Sequence, residues 1–140
     1  KALDTLGVAY IEAGNPGSNP KDLEFFRRAE QLTLTHATLV AFGSTRRKKS
    51  KAADDPNLKN LVSAKTKVVS IFGKSWGLHV TDVIRTTREE NLAMIRDSIQ
   101  FITESGSEVF FDAEHYFDGY LDDSEYAGSA RWRSLHPGAL

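Results

Sequence analysis

Between Glu108 and Tyr120 the chain reads EVFFDAEHYFDGY, where a short apolar run gives way abruptly to polar groups. Asp112, Glu114, His115 and Asp118 place three carboxylates and an imidazole within seven positions. Groups of this kind can take up a proton, return it, or hold a polar substrate. Val109, Phe110 and Phe111 in front of them are β-prone. A buried strand that ends in carboxylates and an imidazole is how parallel α/β proteins present catalytic groups, because the strand end is rigid and the loop beyond it is open. The same residues also suit a plain strand running into a solvated acidic turn. The elements that position them therefore matter.

Three earlier stretches repeat the pattern. Val8–Ala13 (VAYIEA) reads as a strand followed by the turn-rich GNPGSNP, with Asn19 as a helix cap and Pro20 at the first helical position. Leu23, Phe26 and Leu32 give that helix an apolar side. Thr38–Phe42 (TLVAF) is a second strand, followed by the basic loop GSTRRKKSKAA and a helix opened by Asp55 and Pro56. Lys67–Phe72 (KVVSIF) is a third, leading into GKSWGLHVTDVIR. Thr86 and Glu89 have the spacing of a capping box, and Leu92, Ile95, Ile99 and Ile102 line one face of a helix that ends at Gly106. Before all of these, Lys1–Leu6 reads as the last turns of a helix capped by Gly7.

Strand starts near residues 8, 38, 67 and 108 describe four β/α units in series. Alternation of this kind predicts a parallel sheet with helices outside it, and strands without polar alternation suit burial on both faces. A doubly wound sheet and a (β/α)8 barrel both fit. No GxGxxG or P-loop follows any strand, so the barrel is favoured, and four units are half of one. In a parallel barrel, Glu12, Arg46, His79 and Glu114 would all project from the C-terminal rim, with Asp112 on the Glu114 face.

Composition narrows the alternatives. The chain has 140 residues, is 40% hydrophobic and 26% charged, and has a net charge of -1, as expected of an ordinary globular domain. Such a balance argues against a nucleic-acid or anionic-membrane surface. There is no cysteine, which removes disulfides and thiolate metal sites and leaves a cytoplasmic location unopposed. No apolar run approaches a bilayer span. The run RRKKSK lacks interleaved aromatics and reads as a solvated loop, with Lys48 at its centre and only Arg46 near a site. Trp76 reads as a core residue.

The segments YIEAGNPGSNPKDLEFF, VAFGSTRR, VVSIFGKSWGLHV, TTREENLAMIRDSI and VFFDAEHYFDGY resemble the citramalate synthases, in the family of 2-isopropylmalate and homocitrate synthases. The resemblance covers about residues 1–126 and implies part of a TIM barrel, about its units 2 to 5. It implies a condensation of acetyl-CoA with an α-keto acid, pyruvate, on a route to isoleucine. It also implies a divalent metal (magnesium, manganese or zinc) and a homodimer in the complete enzymes. Carried over residue by residue, Glu114 matches the essential glutamate, and His79 is a candidate base or acyl-CoA contact. Glu12, Arg46 and Asp112 line the substrate pocket.

Two departures go with the resemblance. The family's DTTLRDG motif and its His-x-His metal ligands are not in this sequence, so no metal ligand is assigned here. The chain by itself is expected to be an inactive fragment that binds no metal tightly. Residues 127–140, AGSARWRSLHPGAL, are interrupted by Gly128, Pro137 and Gly138 where an amphipathic helix is expected, and a frame shift near Ala127 would account for such an atypical tail. Two other functions fit the same residues. One is 2-isopropylmalate or homocitrate synthesis, and the other is a small non-catalytic β/α protein binding an anion or acyl-CoA.

Overall fold

The computed structural model describes residues 1–135. Its four strands, β1 (Tyr10–Glu12), β2 (Thr38–Ser44), β3 (Val68–Lys74) and β4 (Glu108–Glu114), form one parallel sheet in chain order. The helices are α1 (Ala2–Thr5), α2 (Pro20–Ala29), α3 (Pro56–Ser63), α4 (Arg88–Glu104), α5 (Tyr116–Asp122) and α6 (Ser124–Leu135), with a 3-10 turn at Ala52–Asp54 and a π turn at His79–Val83. Parallel strands joined in order by crossover helices are the architecture of a (β/α)8 barrel, here four units of one.

The helix starts lie where side-chain caps are available. Asn19 accepts from the N–H groups of Lys21 and Asp22, and Asp55 from those of Asn57 and Leu58, each followed by a proline at the first helical position. The α4 cap is Thr87, which accepts from the Glu90 N–H, one residue later than the capping-box spacing predicts. The two C-terminal helices have no counterpart in the sequence reading. Helix α6 passes through Gly128 without the expected interruption and buries Tyr126, Ala127 and Ala130. Pro137 and Gly138 lie outside the described residues.

Side chains alternate across the sheet. Ala41, Val69 and Ile71 turn outward and pack with Leu58 and Leu61 of α3 and Ile95, Ile99 and Ile102 of α4, the close-packed core. Val109 and Phe111 join it from β4. Tyr10, Phe42, Phe72 and Phe110 occupy the opposite, inner face. There the Phe42 and Phe72 rings stack at 5.5 Å, and Tyr10 of the first strand meets Phe110 of the last edge-on at 4.9 Å. The sheet is thus curved enough for its outermost strands to touch across the concave side. Among the described residues no helix is long and apolar enough to cross a membrane.

Candidate active site

The strands run two or three residues further than apolar character alone suggests, into Ser44, Lys74 and Glu114. The β3–β4 ladder continues through Lys74 opposite Glu114, and the Ser75 N–H and hydroxyl both bond the Glu114 carbonyl, at 3.4 and 3.1 Å. Period-two alternation then puts Phe110, Asp112 and Glu114 on the inner face, beside Phe72 and Lys74 of β3. The Lys74 ammonium and the Glu114 carboxylate form an ion pair whose side chains are 16% and 33% exposed, and the same ammonium lies 5.5 Å from the Phe72 ring centroid. Asp112 pairs in register with Phe72 and is exposed on that face.

Two histidines meet beside this pair. His115 follows Glu114 directly in a left-handed conformation (φ 55°), and its Nδ1 lies 3.3 Å from Asp118. The His79 ring, which opens the π turn after β3, stands edge-on to it at 4.5 Å. Trp76 packs against His79 at 5.0 Å and donates its indole N–H to Asp122 at 3.2 Å. Trp76 is therefore a half-buried rim residue rather than the core residue expected. Gly119 lets α5 approach this loop, since a Cβ there would sit 2.5 Å from the Ser75 carbonyl oxygen. His79 Nδ1 is buried without a partner among the described residues, an imidazole nitrogen left free for a ligand or a proton.

Glu12 ends β1 at the same end of the sheet, exposed on the inner face at the opposite edge from Glu114. Arg46 lies at that end too, but its guanidinium is 5% exposed and bound to Glu90 at 2.8 Å and Asp97 at 2.9 Å, both on α4. Burial alone would lower its pKa, and the hydrogen bonds to Glu90 and Asp97 outweigh that and hold it above the ordinary value. Glu90 is held below the usual carboxylate range by Arg46 and by the Lys49 N–H. The structure thus brings Glu114, Asp112 and His79 to one rim and fastens the Arg46 charge to a helix.

A cavity of about 590 Å³ opens between the β2 and β3 ends and α4, bounded by Ser44, Thr45, Phe72, Lys74, Asn91 and Met94. Asn91 is 1% exposed, donates to the Lys74 carbonyl at 2.7 Å and to the Tyr126 hydroxyl at 2.8 Å, and keeps Oδ1 unpartnered. Sequence reading gave neither Lys74 nor Asn91 a role at the site. A lysine two positions past an apolar strand was a usable signal, whereas a mid-helix asparagine gives none. Lys48 is not merely solvated, because its ammonium bonds the carbonyls of Ile84 and Arg85, each at 2.9 Å, closing one wall of this cavity.

The donor set does not fit a divalent metal. Among the described residues no group of three or more His, Cys, Asp or Glu side chains is placed to hold one, and the Glu114 carboxylate already faces an ammonium.

The family model described as HMGL-like matches residues 1–123. The (R)-citramalate synthase of Aquifex aeolicus (strain VF5) is 50% identical over 137 residues, which is 98% of this chain and 26% of that protein. The (R)-citramalate synthase of Sulfolobus acidocaldarius is 50% identical over 125 residues, 89% of this chain and 24% of that protein. A homocitrate synthase of Saccharolobus islandicus (strain L.S.2.15) is 30% identical over 127 residues, 90% of this chain and 26% of that protein. The chain spans about a quarter of the length of these curated relatives.

Proposed function

The chain belongs to the HMGL-like family, and we propose that it forms the strand-end rim of a citramalate synthase barrel, an acyltransferase. The observation that carries this reading is 50% identity to named (R)-citramalate synthases across nearly the whole chain, against 30% to a homocitrate synthase. In the reaction, acetyl-CoA loses a proton from its methyl group and the resulting enolate attacks the keto carbon of pyruvate. The new C–C bond leaves an alkoxide that takes a proton, and water cleaves the thioester to give citramalate and CoA.

Each rim residue has a task in that scheme. His79, with a free ring nitrogen beside the inner face, takes the methyl proton. Glu114 takes part in the acid–base exchange at the keto carbon, with Lys74 beside it as its ion-pair partner. Asp112 and Glu12 line the opening on the inner face. Arg46 supports substrate binding indirectly, by fastening the β2 rim to α4. Any divalent metal would need ligands from outside these residues, and no step here is routed through one. A homodimeric complete enzyme and a cytoplasmic location belong to the same reading. So does the separate proposal that residues 127–140 are out of frame, which the coding DNA decides.

Replacing the matching segment of the Aquifex aeolicus relative with residues 1–135 tests the assignment. The chimera is expected to release thiol from acetyl-CoA when pyruvate is present. A folded chimera that ignores pyruvate and accepts a longer oxo acid would move the assignment to the homocitrate branch.

A further inference from the structure

Strand β3 runs further than β2 can support it. In a parallel sheet, alternate residues of a strand bond to one neighbouring strand or the other. The Phe72 carbonyl accepts from the Thr45 N–H on the β2 side at 3.1 Å, so the Lys74 carbonyl, two residues on, faces the same side. The Arg47 N–H would be its partner if β2 continued. But β2 ends at Ser44, and the Arg47 N–H bonds the Asp55 carboxylate at 2.9 Å instead. The Asn91 side chain of α4 takes over, donating to the Lys74 carbonyl at 2.7 Å. The preceding unit uses the same device. There Asn57 of α3 donates to the carbonyl of Ser44, the last residue of β2, at 2.7 Å. In both units the capped residue turns its side chain to the inner face.

Packing alone does not account for Asn91. It is 1% exposed, on a helix whose other buried positions include Met94, Ile95 and Ile99. Its Oδ1 has no partner among the described residues, and an unsatisfied buried acceptor is destabilising. An apolar side chain would fill the same place without that penalty.

We propose, resting on the reading of Glu114 as an acid–base group, that Asn91 is a positioning residue which sets the Lys74 ammonium against the Glu114 carboxylate. Ser75 holds the β4 side of this strand end through its two bonds to the Glu114 carbonyl. Asn91 holds the β2 side. With the backbone fixed from both sides, the Lys74 side chain leaves the strand in one direction, and its ammonium meets Glu114. The second Asn91 proton goes to the Tyr126 hydroxyl at 2.8 Å, a contact on the side of α6 that does not touch the ion pair.

Two measurements test the proposal. The first is acylation of the lysines of the 140-residue chain with acetic anhydride, read by peptide mass spectrometry, which reports where Lys74 is without any turnover. Lys74, 16% exposed and paired, should label slowly against the exposed Lys59 of α3. Asn91→Ala should raise the Lys74 labelling about threefold or more, because a strand end released on one side opens more often. Tyr126→Phe removes a bond from the same amide but leaves the Lys74 carbonyl capped, so the labelling should not change. Asn91→Gln keeps the donor, has the adjoining cavity of about 590 Å³ for its extra methylene, and should return the labelling to the parent level.

The second is thiol release in the chimera, where Asn91→Ala should lower the rate about tenfold or more through misplacement of the pair. In a Lys74→Met background the same change should cost nothing further, since a positioning residue acts only through the group it positions. A folded Asn91→Ala variant whose Lys74 labels at the parent rate overturns the proposal. So does an equal gain in Tyr126→Phe, or rate losses that simply add in the double variant. Should Asn91→Ala not fold, Asn91→Ser, too short to reach the carbonyl, decides in the same way. An inactive parent chimera counts against the catalytic reading alone, and the labelling still decides whether Asn91 sets the pair.

Discussion

The two ends of the sheet solve their turns differently. At the N-terminal end the chain reverses through Gly7 and Gly106, both with positive φ, and through Lys65 at φ 53°. At the C-terminal end Gly14 is joined by Lys49, Arg85 and His115, all left-handed and all bearing side chains. A non-glycine residue in that region costs of the order of 1 kcal/mol, and such strain gathers where a side chain is wanted in place. The N-terminal end is closed by backbone economy and one anchored carboxylate, Asp4. The C-terminal end holds an ion pair, two touching imidazoles and an asparagine with a free oxygen. That is the division expected of a parallel barrel, with stability below and chemistry above.

The largest effect that could break this contrast lies in the chimera proposed above. There Glu114→Ala should lower the rate of thiol release by about 10²–10⁴-fold, the usual loss on removing one positioned acid–base group. Lys21→Ala, on the exposed start of α2, should leave the rate nearly unchanged. Equal rates for the two variants would reduce Glu114 to a structural partner of Lys74, and the upper rim to an ornate version of the lower one.

The four strands and three of the capped helices were legible because apolar runs and Asn-Pro, Asp-Pro and Thr signals act locally. The strand ends were not. Ser44, Lys74 and Glu114 look like loop residues in sequence, yet the ladder carries them because their side chains point to the open inner face. Helix α5 was hidden by its own chemistry. Seven residues rich in aspartate and aromatics, with Gly119 inside, have poor helix propensity and are held by contact with the Ser75–Trp76 loop. Arg46 was legible as a strand-end cation, but its partners Glu90 and Asp97 lie more than forty residues away, and no spacing rule connects them. His115 and His79 were each visible, while their contact required the fold.

At the lower end, Asp4 gives a second, smaller test. Backbone N–H groups from Thr35, Ala37 and His36 hold its carboxyl down to about 2, against about 3.9 when unfolded. A carboxyl with a depressed folded pKa adds stability that is complete above its unfolded value and vanishes as pH falls through its folded value. The loss should therefore fall between about pH 4 and pH 2. Asp4→Asn should lower the melting temperature at pH 7 and flatten its decline across that window. If the variant and the parent chain fall in parallel, the anchor contributes nothing and the lower end owes its stability elsewhere.

The finest test sets Lys65 against His115, two residues with nearly the same backbone, φ 53° and 55°, at opposite ends of the sheet. Lys65 is an exposed turn residue whose side chain reaches only Glu30, at 3.4 Å and with both groups largely solvated, a contact of little weight. Lys65→Gly removes the steric penalty and should raise stability by about 0.5–1 kcal/mol in urea unfolding, after allowing for the added freedom of the unfolded chain. His115→Gly relieves the same strain but also deletes the ring that meets His79 at 4.5 Å and Asp118 at 3.3 Å. The gain and the loss are of similar size, so its stability should change little, while thiol release in the chimera should fall as His79 loses its neighbour. The contrast predicts relief at the lower turn and a functional cost at the upper one. If both glycine variants gain stability equally and the rate is untouched, His115 is only a strained turn residue, and strain at the upper rim marks no chemistry.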